Sequence, residues 1–370
     1  MFGINKNKKI NIISKLFPVP KILKMPAVGI NISDHSIKIM EIENKGGKKF
    51  IKKYADEEIP DGIMKNGNVI DRAGLKKALI DVKNKYRLNF IRASLPEEKA
   101  YVFKTKIPLL KNKKAIKANI EFQLEENIPI SSNETIFDFH IIPPKDSRKL
   151  DHYEAVVSAL PQKIVASYME IFNSAGLIPI SFEIEAESLA RALIKKGDEN
   201  TYMIVDYGRT RTGISIVSRG IVRYTSTLDM GGEIINNLIK RHLGANEKEA
   251  EKIKNEQGLM GGKGSENLYN ILAVGISALR DEINRRIIYW HTHKEGNVDN
   301  DKIKSIILCG GNANLKGLPE HLSSSLKVPV KRGDSWTNVF SVNDRVPDIS
   351  FRESLGLASV VGLAIDSFEI

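Results

Sequence analysis

The sequence predicts an α/β protein of two related lobes facing a cleft, with a small α+β layer set into the first lobe. Three observations carry this. A meander of three strands opens at Val28 (AVGINIS, SIKIMEIE, KKFIKKYADEEI), and a helix follows it. A second meander opens at Thr201 (TYMIVDYG, TRTGISIVS, GIVRYTSTLDM), again followed by a helix. Between them, residues 100–182 run strand, helix, strand, strand, helix, strand, the order of a sheet with helices on one face. The repeat is one of fold rather than of sequence, and its period is too long for a solenoid.

The elements follow in order. Asp71 is positioned to cap a helix whose Leu75, Leu79 and Val82 share one face, and FIRASLP reads as the next strand. In the insert, YVFKTKIPL is a strand and NKKAIKANIEFQLEENIPI a helix stopped before Pro129. TIFDFHII and HYEAVVSAL are strands, QKIVASYMEIFNSAGL is a helix with Gly176 just past its end, and IPISFEIE is a strand. In the second half, EIINNLIKRHL and the charged NEKEAEKIKNEQ are helices, followed by the glycine-rich loop GLMGGKGSEN. A long helix over 268–290, strand SIILCGG, helix LKGLPEHLSSSL and the apolar, buried helix SLGLASVVGLAI complete the chain.

Composition narrows the function. With 370 residues, 42% apolar and 27% charged, the chain has an ample core and is not generally disordered. It contains no apolar run of about 18 residues, so no segment is expected to span a bilayer. A lone Cys309 rules out an internal disulfide and agrees with a reducing compartment. The 56 basic and 45 acidic residues leave a charge of +11. Six lysines lie in the first 25 residues and seven between Lys99 and Lys117, with no acid in either stretch. The remaining 43 basic residues nearly balance the 45 acids. Two basic patches on a near-neutral body argue against general nucleic-acid binding and fit contact with an anionic membrane surface. Residues 1–25, ended by prolines, read as either a solvated terminus or a membrane-surface tether.

Each meander holds a strand, tight turn and strand, in which successive backbone N–H groups form a nest suited to phosphate oxygens. Ser33, Ser36 and Lys38 add donors in the first turn, and Gly208, Thr210 and Thr212 in the second. Asp206 ends its strand at the cleft, where a carboxylate holds hydrated Mg²⁺. Gly310 and Gly311, after an apolar strand, let a ligand lie against backbone. Other chemistries find little support. His291 and His293 have the wrong spacing for a shared helical face, and Cys309 reads as a buried, inert thiol.

These three elements in this order resemble the two phosphate motifs and the adenosine motif of the superfamily of actin, the Hsp70 chaperones and sugar kinases. FEIEAESLARAL and ESLGLASVVGLAI resemble its two connecting helices. Within it, residues 26–368 resemble the PilM family of type IV pilus assembly proteins. The particular signs are VGINISDHSIK, the insert IEFQLEENIPI…TIFDFHII, EIEAESLARAL, MGGEIINNLIKRHLG, EAEKIK and CGGNANLKGLPEHL. The cell-division protein FtsA shares the insert but closes with an amphipathic membrane helix, whereas this sequence stops at DSFEI.

The resemblance implies a two-lobed actin-like ATPase fold that binds ATP or ADP with Mg²⁺. It implies a basic tail (1–25), a first lobe (26–99), an inserted partner-binding subdomain (100–182) and a connecting helix (183–200). A second lobe (201–345) and a helix returning to lobe one (346–370) follow. Ser36 and Lys38 would face the phosphates from lobe one, and Asp206, Gly208 and Thr212 from lobe two. Gly231 and Gly232 would approach the ribose and phosphates, Glu251 and Lys254 one side of the adenosine, and Gly310, Gly311 and Asn312 the other. Glu185 stands at the superfamily's water-positioning place. Asn31 and Ser33 replace an acid and a glycine common in the first motif, which predicts nucleotide binding with slow hydrolysis at most. Arg209 and Arg211 replace residues that are often small, and either add charge at the phosphates or point to solvent. The implied role is a cytoplasmic scaffold, peripheral to the inner membrane and in contact with other pilus platform or motor components. It would hold the N-terminal peptide of the bitopic protein PilN in a groove made by 112–127, 135–142 and 152–160. An FtsA-like filament is the alternative, and a small-molecule kinase of the same superfamily a third.

Overall fold

The computed structural model describes residues 27–45, 48–110, 112–142, 151–260, 266–292, 301–340 and 347–365. The basic tail, residues 261–265 of the glycine-rich loop, Lys111, His293 and the DSFEI segment lie outside them.

Lobe one begins with β1 (Val28–Ile32), β2 (Ser36–Lys45) and β3 (Lys48–Glu58), an antiparallel meander in which Asn31 faces Lys38 and Ile39 faces Ala55. After the short hairpin of β4 (Met64–Lys65) and β5 (Asn68–Val69) comes α1 (Arg72–Tyr86). Asp71 caps α1 by accepting the Gly74 N–H at 3.0 Å, and Leu75, Leu79 and Val82 are buried on one side. β6 (Phe90–Leu95) then pairs parallel with β1.

The insert comprises β7 (Tyr101–Pro108), α2 (Lys113–Asn127), β8 (Thr135–Ile142) and β9 (His152–Pro161). Its strands form an antiparallel sheet of order β7-β9-β8, and Ile116, Ile120 and Leu124 of α2 share a core with Ile107 and Val157. Lys106, Lys113, Lys114 and Lys117 of the lysine strip are exposed, and part of the strip also contacts this unit. Lys104 pairs with Glu154 at 2.8 Å, and Lys113 and Lys117 lie over the rings of Phe139 and Phe137.

The sequence grouped 100–182 as one unit, but the separate sheet ends at Pro161. The next elements are α3 (Gln162–Ser174), β10 (Ile178–Ile184) and α4 (Glu185–Leu193). β10 pairs parallel with β6, giving the order β10-β6-β1-β2-β3. Tyr168, Ile171 and Phe172 of α3 join the core of lobe one, and Arg72 of α1 reaches Glu170 at 2.7 Å.

Lobe two repeats the plan. β11 (Thr201–Tyr207), β12 (Thr212–Ser218) and β13 (Ile221–Leu228) form the meander, and α5 (Gly232–Leu243), α6 (Glu247–Glu256) and α7 (Glu266–Thr292) follow. β14 (Ile303–Cys309), α8 (Leu318–Leu326) and β15 (Val330–Arg332) complete a sheet of order β13-β12-β11-β14-β15, the counterpart of the first. The glycine pair leads into a 3₁₀ turn over Gly311–Asn314, and α8 starts only after Gly317.

The final apolar stretch forms two helices, α9 (Phe351–Gly356) and α10 (Ala358–Ile365), instead of one. Every residue of α10 is buried against α4 and the first sheet. Small residues make that approach possible. A Cβ on Gly362 would collide with the backbone of Ser188, and one on Gly29 would lie 2.6 Å from the Val360 carbonyl. Among the described residues no helix is long and apolar enough to cross a membrane.

Candidate functional site

Residues at the carboxyl ends of the parallel strands of both sheets converge on one cleft of about 870 Å³, a size suited to a cofactor. The two hairpin turns close similarly. Ser33 N–H donates to the Ser36 carbonyl at 2.9 Å, and Gly208 N–H to the Arg211 carbonyl at 3.0 Å.

Most of the residues expected at the site line this cleft: Asn31, Ser33, Ser36 and Lys38 from the first hairpin, and Asp206, Gly208 and Thr210 from the second. Glu185, Glu251, Lys254, Gly310, Gly311 and Asn312 line it as well. Thr212, Gly231 and Gly232 stand behind it. Thr212 is fully buried and donates to the Met230 carbonyl at 2.6 Å. Gly231 abuts the backbone of Arg209 and Thr210, while Gly232 abuts the Asn312 side chain and donates its N–H to the Gly208 carbonyl at 3.0 Å. These three hold the second hairpin in place.

Gly310 and Gly311 have different reasons to be glycine. Gly310 adopts φ +82°, and a Cβ there would meet the Asp206 carboxylate and the Tyr207 carbonyl. Gly311 has no atom within 4 Å of where a Cβ would be, so its backbone is bare toward open space. The far wall is a hydrogen-bonded chain. Lys254, 3% exposed, donates to Glu251 at 2.7 Å and to Asn312 Oδ1 at 2.8 Å, and Asn312 Nδ2 donates to the Gly208 carbonyl at 2.7 Å.

The floor is acidic. Burial, then the charge of Asp206, raises the Glu185 carboxyl to about 7, while Lys38, Ser359 and Asn31 oppose the rise. Burial also raises Asp206, against the pull of Lys38. Asn31 Nδ2 donates to Glu185 Oε1 at 2.7 Å and to Ser94 Oγ at 2.8 Å, so an amide donor stands against the Glu185 carboxyl. Lys38 Nζ donates to the Gly356 carbonyl at 2.7 Å. Among the described residues no three or more His, Cys, Asp or Glu are gathered to hold a metal. Cys309 is fully buried, and burial pushes its thiol up, which keeps it inert.

Asp34, Glu97 and Glu98 are among the cleft residues that the sequence leaves unassigned. Glu97 and Glu98 follow β6 in SLPEE, and the end of a strand parallel to β1 is a signal that they face the cleft. Glu97 is 8% exposed, with its carboxyl pushed well up by burial and by Glu185 and Asp206. Arg211 neither reaches for solvent nor stands alone. Its Nη2 lies 2.9 Å from Asp34 Oδ1 in lobe one, and its Nη1 pairs with Glu98.

Solved structures share this fold. A chain of the "PilM-PilN type IV pilus biogenesis complex" superposes with a TM-score of 0.76 at 19% identity, over 94% of this chain and 100% of that one. The ethanolamine utilization protein EutJ from Carboxydothermus hydrogenoformans gives 0.51 at 16% identity, over 92% and 89% of the two chains. MreB5 of Spiroplasma citri bound to ADP gives 0.52 at 12% identity, over 92% and 95%. The fold is that of the actin-like ATPases, two lobes around a cleft with a subdomain inserted in the first. More narrowly, the chain belongs to the family of the type IV pilus assembly protein PilM, whose model matches residues 29–368.

Proposed function

We propose that this chain is a nucleotide-binding scaffold of a type IV pilus assembly platform, which holds the cytoplasmic N-terminal peptide of a PilN-like membrane protein on its insert. The observation that carries the nucleotide half is the pair of facing hairpins with the bare backbone of Gly311 beside them. The nests fit phosphate oxygens, and the wall of Glu251, Lys254 and Asn312 fits the nucleoside. Asp206, with Glu185 nearby, would hold Mg²⁺ through water, since this ion commonly takes one or two carboxylates beside the phosphates. Bound nucleotide would set the closure of the lobes. Hydrolysis would be slow, because Glu185 is tied to the Asn31 amide and not free to orient water.

The partner half rests on membership of the PilM family and on the likeness to a chain solved with PilN. On the insert, Phe122 of α2 is 83% exposed, an aromatic anchor of the kind a bound peptide covers. The basic tail would press this cytoplasmic protein against the anionic inner leaflet beside that partner, as a peripheral component near the other platform and motor proteins. The test is fluorescence anisotropy with a labelled N-terminal peptide of the PilN-like protein. Saturable binding, weakened about tenfold in Phe122→Ser, is expected, because an exposed anchor contributes roughly 1–2 kcal/mol. Absence of binding by the intact chain would refute the partner half.

A further inference from the structure

Arg211 belongs to the second-lobe hairpin, yet its guanidinium is seated in lobe one. Its Nη2 lies 2.9 Å from Asp34 Oδ1, its Nη1 pairs with Glu98, and all three residues line the cleft. The seat is built in advance. Asp34, 7% exposed, accepts the backbone N–H groups of Asn66 at 3.1 Å and Gly67 at 3.4 Å. The hydroxyl of the buried Tyr168 donates to the Gly67 carbonyl at 3.2 Å and fixes that turn from behind. Asp34 is also part of the first hairpin, between Ser33 and Ser36. The two turns that would cradle phosphates are therefore joined to each other by one ion pair.

A guanidinium is a planar fork that matches carboxylate and phosphate equally well, so a phosphate arriving between the hairpins competes with Asp34 for the same donors. A triphosphate would bring one more anionic phosphate group toward the hairpins than a diphosphate does. The pairing with the buried Asp34 and the half-buried Glu98 compensates the desolvation of Arg211, so exchange requires a ligand group of comparable charge.

We propose that Arg211 is a clasp that reads the terminal phosphate: without nucleotide it ties the lobes through Asp34 and Glu98, and a triphosphate draws it away from that seat. Arg211 is then the residue that distinguishes ATP from ADP. The inference rests on the nucleotide reading above and adds the residue that decides which nucleotide is favoured.

Two classes of substitution act in opposite directions. Weakening the seat frees the arginine for phosphate, while removing the arginine abolishes the contact. A merely structural defect would weaken binding in both. The experiment is calorimetry of the full chain with ATP–Mg²⁺ and with ADP–Mg²⁺, on the wild type, Asp34→Asn, Glu98→Gln and Arg211→Ala. A charge-assisted contact corresponds to roughly a tenfold change in affinity. Arg211→Ala is expected to bind ATP about tenfold more weakly and ADP within about twofold of the wild type. Asp34→Asn and Glu98→Gln are expected to bind ATP more tightly, with ADP unchanged. An unchanged ratio of ATP to ADP affinity in Arg211→Ala overturns the proposal, as does weaker ATP binding in both seat variants. A wild type that binds neither nucleotide overturns the nucleotide reading itself, a separate outcome. Small-angle scattering of the nucleotide-free protein reads the clasp independently. A larger radius of gyration in Arg211→Ala supports it, and an unchanged one contradicts it.

Discussion

The side-chain amide of Asn31 donates to Glu185 Oε1 at 2.7 Å, joining the first strand of lobe one to the first turn of α4. The amide is a donor that keeps a part-buried carboxylate company. Asn31→Asp would set two carboxylates against each other and remove the amide donor to Ser94. The expected loss is about 2 kcal/mol at pH 8, and less at pH 5.5, where Glu185 carries a proton. Urea unfolding at the two pH values checks this. Equal losses at both would show that the charge of Glu185 is not the cause.

Glu187, on the same turn, accepts from Ser158 Oγ of β9 at 3.1 Å, and burial together with Glu183 raises its carboxyl to about 7. The folded value lies above the unfolded one, so the folded chain holds a proton that the unfolded chain has released. The stability associated with that proton is full below about pH 4.5 and is lost as pH rises through 7. Glu187→Gln, which stays neutral, should melt like the wild type at pH 5. At pH 8 it should be more stable by about 2 kcal/mol. Melting curves at the two values give the answer, and a gain of equal size at both would contradict the assignment.

Gly310 and Gly311 should separate folding from binding. Gly310→Ala forces a side chain into φ +82° and against the Asp206 carboxylate. A loss of about 2 kcal/mol or more is expected in chemical denaturation. The Cβ of Gly311→Val meets no neighbouring atom, and this variant should keep the wild-type melting temperature while blocking the cleft. A destabilised Gly311→Val would mean that the turn itself needs glycine.

Two residues of α2 make a similar pair. Leu124 is fully buried in the insert core, and Leu124→Ala should cost about 2–5 kcal/mol. Phe122, 83% exposed on the same helix, should cost less than about 0.5 kcal/mol when changed to Ala. Unfolding free energies of the two variants check both values.

Much of this was legible beforehand because strand and helix periodicities are local properties. The two meanders, the cap at Asp71 and the buried face of α1 follow from neighbouring residues. The allegiance of β10 was not legible, because its pairing with β6 is a long-range choice that no local pattern encodes. Nor was the break at Leu357, which divides one apolar run into two helices. At the site, residues at strand ends and turns could be placed from motif order alone. The partners of Arg211 could not, because Asp34 and Glu98 meet it only once the lobes come together.

The central claim is that the cleft between the hairpins binds nucleotide, and calorimetry with ATP–Mg²⁺ on the wild type and on Gly311→Val tests it most directly. One saturable site in the wild type, lost in a Gly311→Val protein that melts normally, is the predicted result. No binding heat in the wild type, or equal affinity in both proteins, would contradict it.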